Sequence, residues 1–170
     1  MFTEQEMQIA NATSRSRGAV GMNAIVPRHV RGYLNNYCQK EKTMILDFGA
    51  GKEAIHAQAL LHEGWMVTAY EFGKNVDPRY HNELALMQEY DIVYASNVLN
   101  VQVNFAMARK TIDLIHSVLK EDGIFFANYP ASPRKSDITT GEMVQLLSEK
   151  FSRIVRIDGS RHAPLWTCYK

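Results

Sequence analysis

Cysteine is scarce in this sequence: the 170 residues hold only Cys38 and Cys168, with no CxxC pair and no nearby Cys/His cluster. A disulfide-stapled scaffold and a structural zinc site are therefore excluded, and the Asn11-Ala12-Thr13 sequon carries no weight. Long apolar runs are also missing, since none approaches the roughly 20 residues that span a bilayer. The first residues, MFTEQEMQIANATSR, carry acids where a secretory leader is basic and then apolar. A cytoplasmic chain with no membrane partner is expected. There is no internal repeat and no low-complexity tract, and composition near the globular average leaves no place for a disordered or coiled-coil chain. The length gives room for one compact domain.

An excess of charge of one sign is absent overall, the net charge being +1, but the charges are unevenly spread. Residues 1–42 hold six Lys/Arg against three Asp/Glu, residues 43–130 six against eleven, and residues 131–170 seven against four. The balance of +3, −5 and +3 describes either an acidic core with basic flanks that meet an anionic partner, or an ordinary solvated surface.

What is present is an alternation of elements. Residues 43–48 (TMILDF) form a short, nearly continuous apolar run that reads as a strand buried on both faces. Residues 53–63 place Ala54, Ile55, Ala59 and Leu60 at helical spacing and stop at Gly64, and residues 66–70 form a second strand with Glu71 at its tip. This is a βαβ crossover. A strand at 91–96 follows, then a helix over 105–119 with Ile112, Ile115, Val118 and Leu119 inward, and a strand at 123–127. A helix near 141–150, capped by Thr139 or Thr140 with Glu142 behind, precedes two strands at 153–158 and 164–169 separated by Asp158-Gly159. The fold class is α/β: a Rossmann-like, mostly parallel sheet with helices on both faces and a C-terminal antiparallel hairpin. Only 19 residues separate Glu71 from Asp91, so the third strand is expected to be short or missing.

The chain divides into an N-terminal segment, 1–42, and the core, 43–170. In the first, Pro27 suits the first turn of a helix whose one face carries Val30, Tyr33, Leu34, Tyr37 and Cys38, while 11–26 reads as a loop.

The informative constellation is Asp47-Phe48-Gly49-Ala50-Gly51, at the end of the first buried strand and ahead of a helix. Glycines there let the backbone pass close to a ligand, the helix start offers unpaired N–H groups, and Glu71 can accept from both hydroxyls of a ribose. A nucleoside ligand is expected. Over 43–170 the sequence resembles the class I S-adenosyl-L-methionine-dependent methyltransferases, whose first motif is an acidic residue followed by xGxG and whose second strand ends in an acid. The resemblance implies S-adenosyl-L-methionine as cofactor, with Asp47 near its amino group, Gly49, Ala50 and Gly51 along its amino-acid moiety and Glu71 on its ribose. The third glycine of that motif is Glu53 here, and the adenine contact falls to Met87 or Gln88. Gly49-Ala50-Gly51-Lys52-Glu53-Ala54 also satisfies the dinucleotide pattern GxGxxG/A, so a nicotinamide-dependent oxidoreductase stays open, as does a relative that binds the cofactor without catalysis or cleaves it.

Ligands of open α/β sheets lie beyond the carboxyl ends of the strands, which directs attention to the loops after Phe48, Ser96 and Ala127. In the family, the position of Asn97 faces the reacting methyl and the substrate; an Asn there also serves as a cap or turn. Asn128-Tyr129-Pro130 is similar to the Asn-Pro-Pro-Tyr motif of amino-group methyltransferases, with the order and the strand changed, and Tyr129 is thereby either a ring that stacks a target base or a plain loop residue. The six histidines show no metal spacing, so no metal is expected; His29 and His162 lie in the basic flanks. Arg15, Arg17, Arg28, Arg31, Arg134 and Lys135 form either a phosphate-tracking rim or a solvated surface. Residues 13–18 (TSRSRG) resemble the Arg- and Ser-containing leader of some compact methyltransferases linked to DNA. DNA or RNA is the expected acceptor on that reading, with a small metabolite or a protein side chain left open.

Overall fold

The computed structural model describes residues 2–13, 24–133, 135–160 and 163–170. Strands β1 (Met44–Phe48), β2 (Met66–Tyr70), β3 (Tyr90–Ala95), β4 (Leu119–Asn128), β5 (Arg153–Ser160) and β6 (Ala163–Tyr169) form one sheet in the order β2-β1-β3-β4-β6-β5. The first four are mutually parallel, and β6 runs antiparallel to both β4 and β5. Helices α1 (Glu4–Thr13), α2 (Ile25–Tyr37), α3 (Ile55–His62), α4 (Phe105–Ser117) and α5 (Thr140–Ser148) complete the described elements.

Two apolar layers sandwich the sheet. On one face Leu46, Phe48, Val93, Phe125 and Trp166 pack with Ile112 and Ile115 of α4 and Met143 and Leu147 of α5. On the other, Ile45, Ile92, Tyr94 and Phe126 pack with Val26, Val30 and Leu34 of α2 and Ala57 and Leu60 of α3. Coverage of both faces is why β1 and β3 read as continuous apolar runs rather than alternating ones.

The third strand of the alternation is missing. Between β2 and β3 the chain makes two single 3₁₀ turns, Gly73–Asn75 and Ala85–Met87, and β2 becomes a sheet edge. Asn82 N donates to Ala69 O at 3.0 Å, so this stretch covers part of that edge. Several local expectations are corrected. The helix expected from residue 53 begins at Ile55, because Ala54 takes a left-handed φ of 44°. Its inward face is His56, Ala57 and Leu60, with Ile55 exposed, since the helix lies over β1 and β2 at a different rotation from the expected one. Asp158-Gly159 does not separate the two strands but lies inside β5, where the register shifts. Part of the expected 11–26 loop is helix: 11–13 end α1, and Ile25 and Val26 begin α2. Tyr37 is 76% exposed and leaves the apolar face of α2. The capping box on α5 is formed as expected, by Thr139 and Glu142. Among the described residues, no helix is long and apolar enough to cross a membrane.

Candidate active site

The chain leaves β1 to one side to build β2 and returns to the other side of β1 for β3. Such a switch point opens a crevice beyond the carboxyl ends of the two strands, between the loop after Phe48 and the loop after Ala95. The first loop is tied down tightly. Gly49 N and Ala50 N both donate to Tyr70 O, each at 2.9 Å. Gly49 has a φ of 74°, and a Cβ there would stand 2.6 Å from Val98 Cγ2, so only glycine lets the two loops meet. Gly51 has the same φ but open space where a Cβ would stand.

The Gly51 peptide unit is gripped at both polar ends. Its N–H donates to Glu71 Oε2 at 2.7 Å, while Phe72 N donates to Glu71 Oε1 at 2.9 Å. Its carbonyl meets His81 Nε2 at 2.8 Å, and Asp77 N donates to His81 Nδ1 at 2.9 Å. Because the Asp77 amide can only donate, Nδ1 is the acceptor and Nε2 carries the hydrogen given to Gly51. Burial raises the Glu71 carboxyl above its usual range, opposed by the two backbone bonds and by His81. Each Glu71 oxygen keeps a lone pair for an incoming hydroxyl.

Asp47 lies beneath this loop at 1% exposure. Burial pushes its carboxyl up to about 7, opposed by the neighbouring Tyr94 hydroxyl and Ala57 amide and reinforced by the Glu71 charge. Asp47 Oδ2 and the Tyr94 hydroxyl are both buried without hydrogen-bond partners among the described residues.

On the other side of the crevice, Asn97 is exposed with a φ of 59°, and Asn128 at the end of β4 is buried. Asn97 N donates to Asn128 Oδ1 and Asn128 Nδ2 donates to Asn97 Oδ1, both at 2.8 Å. Helix α1 flanks the crevice, packing on Gly73–Asn75 and on the 3₁₀ turn Leu99–Val101. Phe2 stacks on Phe72 with centroids 5.0 Å apart, and Lys110 bonds both oxygens of Glu6.

The expected site residues thus separate. Asp47, Gly49, Ala50, Gly51, Glu71 and Asn97 all gather at the carboxyl edge. Tyr129 is enclosed at 0% exposure, its hydroxyl donating to Ile138 O at 2.6 Å and its ring stacked on Trp166, so no face is free to stack a base. Met87 and Gln88 sit just before Tyr90, at the amino end of β3 and therefore at the wrong end of the sheet for adenine. Arg28 is exposed on α2, and Arg31 is paired with Glu63 at 2.7 Å. Arg15, Arg17, Arg134 and His162 lie outside the described residues. His29 packs on Phe126, and burial lowers its pKa. No cluster able to hold a metal is found among the described residues. His81 and α1 are the parts that sequence reasoning missed, while Asn128, singled out only as part of the Asn-Tyr-Pro motif, proves to hold Asn97. His81 shows no signal beyond lying between Glu71 and β3, and α1 has too irregular an apolar pattern to announce itself.

The chain is similar to known methyltransferases in sequence and in fold. RP459 of Rickettsia prowazekii (strain Madrid E), named as a presumed methyltransferase, is 30% identical over 81 residues, covering 46% of this chain and 35% of that protein. The chain thus matches about a third of the length of its curated relative. The magnesium protoporphyrin IX methyltransferase of Synechocystis PCC 6803, solved with bound SAM, superposes with a TM-score of 0.60 at 14% identity, over 100% of this chain and 98% of that one. The glycopeptide N-methyltransferase MtfA, complexed with S-adenosyl-L-homocysteine, gives 0.63 at 11% identity and 95% coverage of both chains. The N-methyltransferase NodS of Bradyrhizobium japonicum WM9 gives 0.61 at 13%, covering 96% of this chain and 97% of that one. At these identities the likeness is one of fold. Residues 22–154 match the model of the methyltransferase domain, and the chain belongs to that family.

Proposed function

We propose that this chain binds S-adenosyl-L-methionine across the β1–β3 crevice and catalyses transfer of its methyl group to an acceptor that enters at Asn97. The observation that carries the proposal is the Gly51 peptide, held by Glu71 on one side and His81 on the other, beside space that a Cβ would fill. The residues present fit this cofactor: Glu71 offers a lone pair on each oxygen to a vicinal diol, and Gly49, Ala50 and Gly51 offer a backbone that a ligand can approach closely. Asp47 supports the loop from below, and its buried Oδ2 is an acceptor available to an ammonium or a bridging water.

When bound, the cofactor supplies a sulfonium-activated methyl group. The chain's own part is to align the attacking atom at Asn97 and to close the edge with α1, which is what a proximity-driven transfer needs. A nicotinamide cofactor would use the same glycines and Glu71; membership of the methyltransferase domain family favours the methyl donor. A DNA or RNA acceptor draws little support from the described surface, where Arg28, Arg31 and Lys135 of the expected rim are exposed but Arg31 is paired with Glu63. A small acceptor is favoured.

The test is transfer of tritiated methyl from S-adenosyl-L-methionine to extract fractions by wild type and Gly51→Arg. The arginine fills the open space beside Gly51, so labelling is expected to disappear while the far-UV spectrum is kept. Equal labelling by the two proteins contradicts the assignment.

A further inference from the structure

We infer that the methyl acceptor is a carboxylate, received by the side-chain amide of Asn97 in the orientation that Asn128 imposes; the inference rests on the methyl transfer proposed above. The orientation of an Asn amide is normally an assignment made from its hydrogen-bond network. Here the network is anchored by a group without ambiguity, since the Asn97 backbone N–H can only donate. It must face an oxygen, so Asn128 turns Oδ1 towards it at 2.8 Å. Asn128 Nδ2 therefore faces the Asn97 side chain and must meet an acceptor, so Asn97 turns Oδ1 inward, also at 2.8 Å. The buried Asn128, at 2% exposure, thereby fixes which end of Asn97 points outward.

What points outward is the NH₂ group, which has no hydrogen-bond partner among the described residues. Asn97 is exposed at the strand end, whereas the Ser96 hydroxyl and the side-chain carbonyl oxygens of Asn100 and Gln102 are enclosed. An incoming molecule thus meets donors from this pair, not acceptors. An amine needs acceptors for its N–H groups while its lone pair attacks; a carboxylate needs donors. A carboxylate also arrives ionised near neutral pH, so no base has to take a proton. One carboxylate oxygen forms the O–CH₃ bond, the S–CH₃ bond breaks with its electron pair remaining on sulfur, and the negative and positive charges cancel. No proton moves. The second carboxylate oxygen stays on the Asn97 NH₂.

The experiment uses the full chain with tritiated-methyl S-adenosyl-L-methionine and a deproteinised cell extract, followed by mild alkali. A methyl ester releases its label as volatile methanol, whereas N-methyl, ether and C-methyl products keep it. Most of the label is expected to become volatile. Asn97→Asp keeps Oδ1 for Asn128 and tolerates the positive φ, but replaces the outward NH₂ by an oxygen; volatile label should fall roughly 10- to 100-fold. Affinity for S-adenosyl-L-homocysteine should change less than threefold. Asn128→Asp draws the Asn97 NH₂ inward and turns its oxygen out, so it should lose transfer to the same extent while S-adenosyl-L-homocysteine is still bound. Alkali-stable label, or wild-type transfer by both variants, overturns the inference, as does S-adenosyl-L-homocysteine binding with no label transferred. Failure of wild type to bind S-adenosyl-L-homocysteine overturns the underlying proposal instead.

Discussion

Asp47 is the residue at which stability and site chemistry oppose one another. Its folded-state pKa of about 7 lies above the ordinary carboxylate value of 3.8, so the folded protein holds a proton that the unfolded chain releases. Stability is full below about pH 4 on this account and falls as pH rises through about 7, by at most roughly 4 kcal/mol. Asp47→Asn should melt at a temperature that changes less across that window, and above wild type at pH 8, in thermal unfolding of the free protein. A variant whose pH dependence follows wild type would show that Asp47 is not the titrating group. Gly49 makes a complementary test. Ala at this position meets both a positive φ and Val98 at 2.6 Å, so Gly49→Ala should cost on the order of 1–3 kcal/mol in denaturant unfolding. Asp47, the glycines and Glu71 were all legible in the sequence, because a strand, a turn and a helix in close succession leave few ways to arrange them. The fate of Tyr129 was not, because its burial depends on Trp166 and Ile138, from later in the chain.

Among the elements, the stretch 71–89 departs furthest from a regular crossover. With no strand to stiffen the edge, His81 braces the glycine loop by joining the Asp77 amide to the Gly51 carbonyl. His81→Asn keeps an acceptor near the position of Nδ1 but cannot reach Gly51, whereas His81→Gln keeps a donor near the position of Nε2. The first should weaken S-adenosyl-L-homocysteine binding about threefold to tenfold and the second far less, measured by calorimetry at one pH. Equal losses would make His81 a packing residue only. This brace was hidden from the sequence because it joins positions 30 residues apart through an irregular segment, with no period to mark it. The same limit applies to α3, whose existence followed from its spacing and its terminal Gly64 but whose rotation was set by the sheet. The capping box of α5 was legible because both partners lie within one turn.

Across the whole molecule, the uneven charge pattern acquires an internal explanation. Arg31 in the first basic flank pairs with Glu63 of the acidic middle, and Lys150 in the last flank pairs with Asp113 at 2.8 Å. These pairs are exposed and each is worth little in stability, but they occupy charges that a polyanion would need. Duplex DNA is therefore expected to show no binding in fluorescence anisotropy at about 50 mM salt, where phosphate contacts are strongest. Saturable binding with a steep salt slope would return nucleic acid to the list of acceptors. The proposed function stands on the Gly49–Gly51 loop and Glu71 as a site for S-adenosyl-L-methionine. Calorimetric titration of wild type and Glu71→Gln with S-adenosyl-L-homocysteine tests it most directly. Saturable binding is expected of wild type, weakened about tenfold or more in the variant; NADH binding with no response to S-adenosyl-L-homocysteine, or equal affinity in both proteins, is the opposite result.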